Sequence, residues 1–161
     1  MANATMMNTP LTTHHLIERA ARLFSHVEVV SQAPDGSLVR HSYADLYARA
    51  RNLAYALERA GLKKGDRVAT LMWNHHAHME VYFGAPLIGA VYHTLNPRLS
   101  PEDLSYVLNH AKDRFVVVDD SLLPLILRAK EQVPLEKIIV VRWNGESIPD
   151  GCEDYEAYAG Q

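Results

Sequence analysis

From residue 65 to residue 141 the sequence alternates between short apolar runs and longer segments with helical patterning. This rhythm limits the fold more than any other feature. Val68-Ala69-Thr70-Leu71-Met72, the segment 90–95, Phe115-Val116-Val117-Val118 and Ile138-Ile139-Val140-Val141 read as strands. A strand that is apolar at successive positions has no solvent face, as a parallel sheet covered by helices requires. The segments between carry helix signals. Residues 76–89 read as a buried helix, with Pro86 expected to kink it. Ser100-Pro101-Glu102-Asp103 supplies a capping Ser, a Pro at the first helical position and an acid at the third. Asp120 or Ser121 is placed to cap a helix running to about residue 131, with Pro124 tolerated in its first turn. The expected class is α/β, a largely parallel sheet flanked by helices.

The residues before this unit add a helix and a hairpin. Leu16, Ile17, Ala20, Leu23 and Phe24 recur at helical spacing, predicting a helix over about 13–25. Val27–Val30 and Leu38–His41 predict a short β-hairpin turned by Pro34-Asp35-Gly36. Ser42, with Asp45 three residues on, predicts a capping box for a helix buried along Leu46, Ala50, Leu53, Ala54 and Leu57. Gly61 stands where a left-handed residue should end that helix. The expected organisation is an N-terminal arm over 1–12, an α/β unit over 13–143 and a connecting tail over 144–161. That tail, with its glycines, Pro149 and acids, shows no clear element.

Composition narrows the function by exclusion. The 161 residues carry 16 Lys and Arg against 19 Asp and Glu, a net charge of −3, so nothing electrostatic points to nucleic acid or to a membrane surface. No run approaches the length of a transmembrane segment, and the N-terminus lacks the basic and apolar regions of a signal peptide. Cys152 is the single cysteine, so no internal disulfide forms and a cytoplasmic location is expected. Its acidic neighbours, Asp150, Glu153 and Asp154, would raise its pKa and leave it a bystander.

The chemistry-bearing residues are few. No Gly-rich phosphate cradle, nucleophile elbow or His-Glu-x-x-His motif is present. His75, His76 and His78 invite a metal reading, but a site needs three or four ligands in fixed geometry and no neighbouring Cys or acid supplies the rest. They are expected to form a polar helix start near the surface. His14, His15, His26, His41 and His110 are scattered and receive no role, and Trp73 and Trp143 read as isolated aromatics. Arg49, Arg51, Arg59, Lys63 and Lys64 read as a solvated helix face and its end. No catalytic, cofactor-binding or metal-ligating residue is assigned. His93, Thr94, Asn96 and Arg98 follow a close-packed helix–strand joint and lie at a strand's carboxyl end, where open α/β sheets collect their sites. They are candidate pocket-wall residues, or else a structural turn.

Several stretches, taken in order, carry a resemblance. Ser42-Tyr43-Ala44-Asp45-Leu46, then Gly61-Leu62-Lys63-Lys64-Gly65-Asp66-Arg67-Val68-Ala69, then Gly84 through Pro97, then Leu108-Asn109-His110-Ala111-Lys112-Asp113 resemble successive stretches of the adenylate-forming enzymes. His93-Thr94-Leu95-Asn96-Pro97-Arg98-Leu99 resembles the version in medium- and long-chain fatty acyl-CoA synthetases. The resemblance implies the N-terminal subdomain of that fold, and a parent enzyme that uses ATP, Mg²⁺ and CoA to turn a fatty acid into acyl-CoA through an acyl-adenylate. The family's phosphate loop, Thr-Glu motif, ribose-binding Asp and mobile-domain lysine have no counterpart here, so this N-terminal portion is expected to be inactive alone. The implied partners are the remainder of the parent chain and a second copy in a homodimer. The alternatives are a non-catalytic interaction or dimerisation module, or a parent acting on an aryl or short-chain acid.

Overall fold

The computed structural model describes residues 9–160, so residues 1–8 of the expected arm lie outside the described residues. Helix α1 (His14–Leu23) leads into a hairpin of β1 (Glu28–Gln32) and β2 (Leu38–Ser42), paired antiparallel from Glu28↔Ser42 to Gln32↔Leu38. Helix α2 (Tyr43–Arg59) starts on the expected capping box: Ser42 Oγ accepts from the Asp45 amide, and the Asp45 carboxylate accepts from the Ser42 amide. Beyond it Gly61 takes a φ of 101°, a conformation that suits glycine alone among ordinary residues.

A five-stranded parallel sheet follows, in the order β4-β3-β5-β6-β7. It comprises β3 (Arg67–Leu71), β4 (Val91–Thr94), β5 (Asp113–Asp119), β6 (Lys137–Val141) and β7 (Glu153–Asp154). Helix α3 (His76–Leu87) connects β3 to β4, α4 (Pro101–Ala111) connects β4 to β5, and α5 (Leu123–Lys130) connects β5 to β6. The alternation of side chains along each strand feeds two cores. Val68, Phe115, Val117, Ile139 and Val141 pack against α2, α3 and the short α6 (Glu156–Ala159). Ala69, Leu71, Val116, Val118, Ile138 and Val140 pack against α4 and α5. The hairpin and α1 lie outside the α2–α3 layer.

The structure corrects four expectations. The tail is not featureless: β7 pairs with β6 through Ile139↔Glu153 and Val140↔Asp154, and Tyr155 and Tyr158 are buried behind it. A two-residue strand is too short to show a period, so only its pairing partner reveals it. Strand β4 is an edge strand with Val91 and Thr94 exposed rather than a strand covered on both faces. Asp120 does not cap α5, which follows a 3₁₀ turn over Asp120–Leu122 and has Leu122 at its cap position. Its carboxylate instead accepts from the amides of Ser121, Asn144 and Glu146, pinning the chain that leaves β6. Finally, Pro86 stands one residue before the end of α3, where it stops the helix instead of bending its middle.

Candidate functional site

At the carboxyl ends of β3 and β4 the hairpin leans over the first turns of α3 and leaves a cavity of about 500 Å³. Val29, Val30 and Ser31 of β1 form one wall, Met79 and Tyr82 of α3 a second, and Tyr92 and Thr94 of β4 a third. Asn74, His75 and His78 complete the lining, so among the described residues no Lys, Arg, Asp or Glu faces it. Such a wall suits uncharged, apolar matter. It presents no charged side chain from the described residues to a triphosphate.

The polar atoms of this wall are held by a local network. The His78 ring lies 3.2 Å, through Nδ1, from the Trp73 carbonyl, which can only accept, so Nδ1 carries the proton. Its Nε2 then accepts from Tyr92 Oη at 2.7 Å and meets Thr70 Oγ1 at 3.1 Å. Burial lowers the His78 pKa, favouring the neutral ring this arrangement needs. His75 is more deeply set, with 5% of its surface exposed. Its Nε2 donates to Asp119 Oδ1 at 2.9 Å, while Asp119 Oδ2 accepts the Trp73 amide at 2.7 Å. The Trp143 ring stacks on His75 at 4.3 Å between centroids. Both tryptophans are therefore fastened to this end of the sheet rather than isolated.

Of the candidate pocket-wall residues, Thr94 lines the cavity and the other three do not. His93 Nδ1 lies 2.8 Å from Asp113 Oδ2. Burial raises the Asp113 pKa, and the His93 contact partly offsets that rise. Asn96 Oδ1 accepts the Arg98 amide at 3.0 Å and closes the turn after β4, leaving both residues exposed. A strand's alternation explains His93, which leaves β4 on the face opposite to Tyr92 and Thr94, whereas Asn96 and Arg98 lie beyond the end of the strand.

The histidine run also differs from the polar surface expected of it. His76 is 8% exposed and is pushed down to a pKa of about 3, first by burial and then by the nearby His41, His75 and Arg49. His41 of β2, which received no role from the sequence, lies against it at 4.5 Å between ring centroids. An acid does stand nearby: Glu80, four residues along α3, is fully buried and joins His41 and His76 in one cluster. Its Oε1 accepts Arg49 Nε at 2.7 Å and its Oε2 accepts the Tyr155 hydroxyl at 2.8 Å. Arg49 is consequently not a solvated residue, for it bridges Glu80 to Glu156 of α6. Cys152 has its thiol pKa raised by burial rather than by the acids around it in sequence.

Comparison with known proteins places these observations in a family. The model for AMP-binding enzymes matches residues 17–157. The chain is 44% identical over 158 residues to a long-chain-fatty-acid–CoA ligase of Thermus thermophilus, covering 98% of this chain and 29% of that protein. It is 41% identical over 136 residues to a 3-methylmercaptopropionyl-CoA ligase of Ruegeria lacuscaerulensis, covering 84% of this chain and 25% of that protein. The crystal structure of coronafacic acid ligase from Pectobacterium brasiliense superposes on 94% of the chain with a TM-score of 0.81 at 24% identity, over 30% of its own length. The chain thus spans less than a third of the length of these relatives.

Proposed function

The chain belongs to the AMP-binding enzymes, and from that membership we propose that it forms the N-terminal part of a fatty-acid–CoA ligase. The observation that carries this reading is the 44% identity across 98% of the chain to a long-chain-fatty-acid–CoA ligase. In the proposed reaction a carboxylate oxygen attacks the α-phosphorus of ATP and pyrophosphate leaves. The CoA thiol then attacks the acyl carbon and AMP leaves. ATP, Mg²⁺ and CoA belong to the whole enzyme. On this reading the chain contributes the sheet and the cavity walls, and the groups that carry out the two transfers lie in the remainder of the enzyme. A reducing, cytoplasmic setting fits the single Cys152.

Two observations favour secondary readings. The 3-methylmercaptopropionyl-CoA ligase is nearly as similar, which keeps a short-chain acid in view as the parent's substrate. Leu11, Leu16, Leu23 and Phe24 are exposed on and beside α1, which supports contact with another chain, a second copy included. Pyrophosphate release with ATP, Mg²⁺ and medium- and long-chain fatty acids tests the main reading. The chain alone should stay at background, and acyl-CoA should form once it is continued by the remaining segment of the gene. Turnover by the chain alone, or no fatty acyl-CoA from the continued enzyme, would refute it. Sedimentation across a concentration series tests the second reading, which a concentration-independent monomer contradicts.

A further inference from the structure

We propose that His41, His76 and Glu80 bind a divalent cation of the zinc class, clamping the hairpin to α3. The three residues come from β2 and from two successive turns of α3, and one donor atom of each lies within 4.8 Å of the others. His76 and Glu80 are four residues apart on one helix and so share a face. The hairpin brings His41 over that face.

Two independent features point to a ligand here. Among the described residues His76 Nδ1 is buried and has no hydrogen-bond partner, although its backbone amide is satisfied by Ser31 Oγ at 2.9 Å. A buried imidazole nitrogen left unbonded costs free energy that a metal ion would recover. The second feature is the Glu80 carboxylate, fully buried and held in place by Arg49 and Tyr155. Arg49 and Tyr155 each use one lone pair of Glu80, and each carboxylate oxygen has a second.

Two imidazoles and a carboxylate suit zinc, cobalt or nickel better than magnesium or calcium, which prefer oxygen. Metal–ligand bonds of about 2.0–2.1 Å fix the final spacing of the donors, and rotation of the His41 ring on its half-buried strand can adjust to it. The result is a three-ligand site with a fourth position for water. Its role is structural, because it joins an element outside the α2–α3 layer to that layer.

The test is a Co²⁺ titration of the chelator-treated protein, read by visible d–d absorption and by thermal melting, with Zn²⁺ added to displace the cobalt. One equivalent should bind, the melting temperature should rise and zinc should abolish the bands. His41→Ala should weaken binding by at least about tenfold. His76→Phe, which keeps the ring's bulk, should remove it. The half-buried His14, His15 and Glu18 of α1 form a second such cluster, and the double variant His14→Ala with His15→Ala should bind as the wild type does. The proposal fails if the folded wild type shows no bands, if the bands survive His41→Ala and His76→Phe, or if the α1 variant removes them.

Discussion

The crossing of α2 and α3 offers a direct test of how the core is set. Gly84 of α3 is buried, and a Cβ added there would lie 2.8 Å from the Ala50 carbonyl oxygen and 3.2 Å from Leu53 Cδ2. Leu53 can turn, but the Ala50 oxygen belongs to helix backbone, so the two helices must separate by about 0.6 Å to reach ordinary contact at 3.4 Å. Overpacking of this kind costs about 1–3 kcal/mol, and a backbone contact belongs at the upper end. Replacing a helical Gly by Ala returns about 1 kcal/mol of intrinsic propensity. The net expectation for Gly84→Ala is a loss of about 2 kcal/mol, which for a chain of this size lowers the melting temperature by about 4–8 °C. Urea titration monitored by circular dichroism measures it. A double-mutant cycle with Leu53→Val should show coupling close to zero, because shrinking that side chain leaves the carbonyl in place. A Gly84→Ala variant as stable as the wild type, or one fully rescued by Leu53→Val, would show that the helices are not held at backbone contact and would refute the reasoning.

Three further outcomes are expected. Ser42→Ala removes the capping box of α2 and should cost about 1 kcal/mol in urea titrations at neutral pH. The Ser42 hydrogen bonds hold the Asp45 carboxyl below its unfolded value of 3.8. Asp45 therefore stabilises above that value and loses its effect as pH falls through the folded pKa, so the gap between wild type and Ser42→Ala should narrow on acidification; a gap that widens would contradict this. Asp119→Asn weakens a buried acceptor shared by His75 and the Trp73 amide and should cost about 2–3 kcal/mol by the same assay, with an unchanged midpoint counting against it. Tyr92→Phe removes the donor to His78 Nε2 but leaves Thr70 beside it, so a loss of about 1 kcal/mol is expected from thermal melts, and a loss like that of Asp119→Asn would mean that Thr70 gives no support.

Much of the architecture could be read from neighbouring residues because the forces that set it are local. The Ser42 capping box, the left-handed Gly61, the Ser100 cap and Pro101 opening α4, and the apolar strands at β3, β5 and β6 involve partners a few residues apart. The candidate site was less accessible. Thr94 could be singled out because a strand's carboxyl end is a general location for a pocket, whereas Val29, Val30, Met79 and Tyr82 have no pattern that sets them apart from core residues. His41 could have been singled out only by knowing that the hairpin folds over α3, and the missing acid beside His76 was Glu80, one helical turn away.

Sequence by itself determined the α/β class, the order of the elements through β6 and the family, because periodicity, caps and motif spacing depend on near neighbours and survive without a three-dimensional frame. Tertiary structure alone decided that β7 joins the sheet, that Asp120 holds the segment after β6 and that Arg49 links Glu80 to Glu156, 107 positions apart from Arg49 in the chain. It also decided which of the nine histidines are buried together. The physical reason is the same in each case. A buried charge or unpaired backbone group takes whichever partner the fold delivers to it, and that partner's distance along the chain carries no local signal.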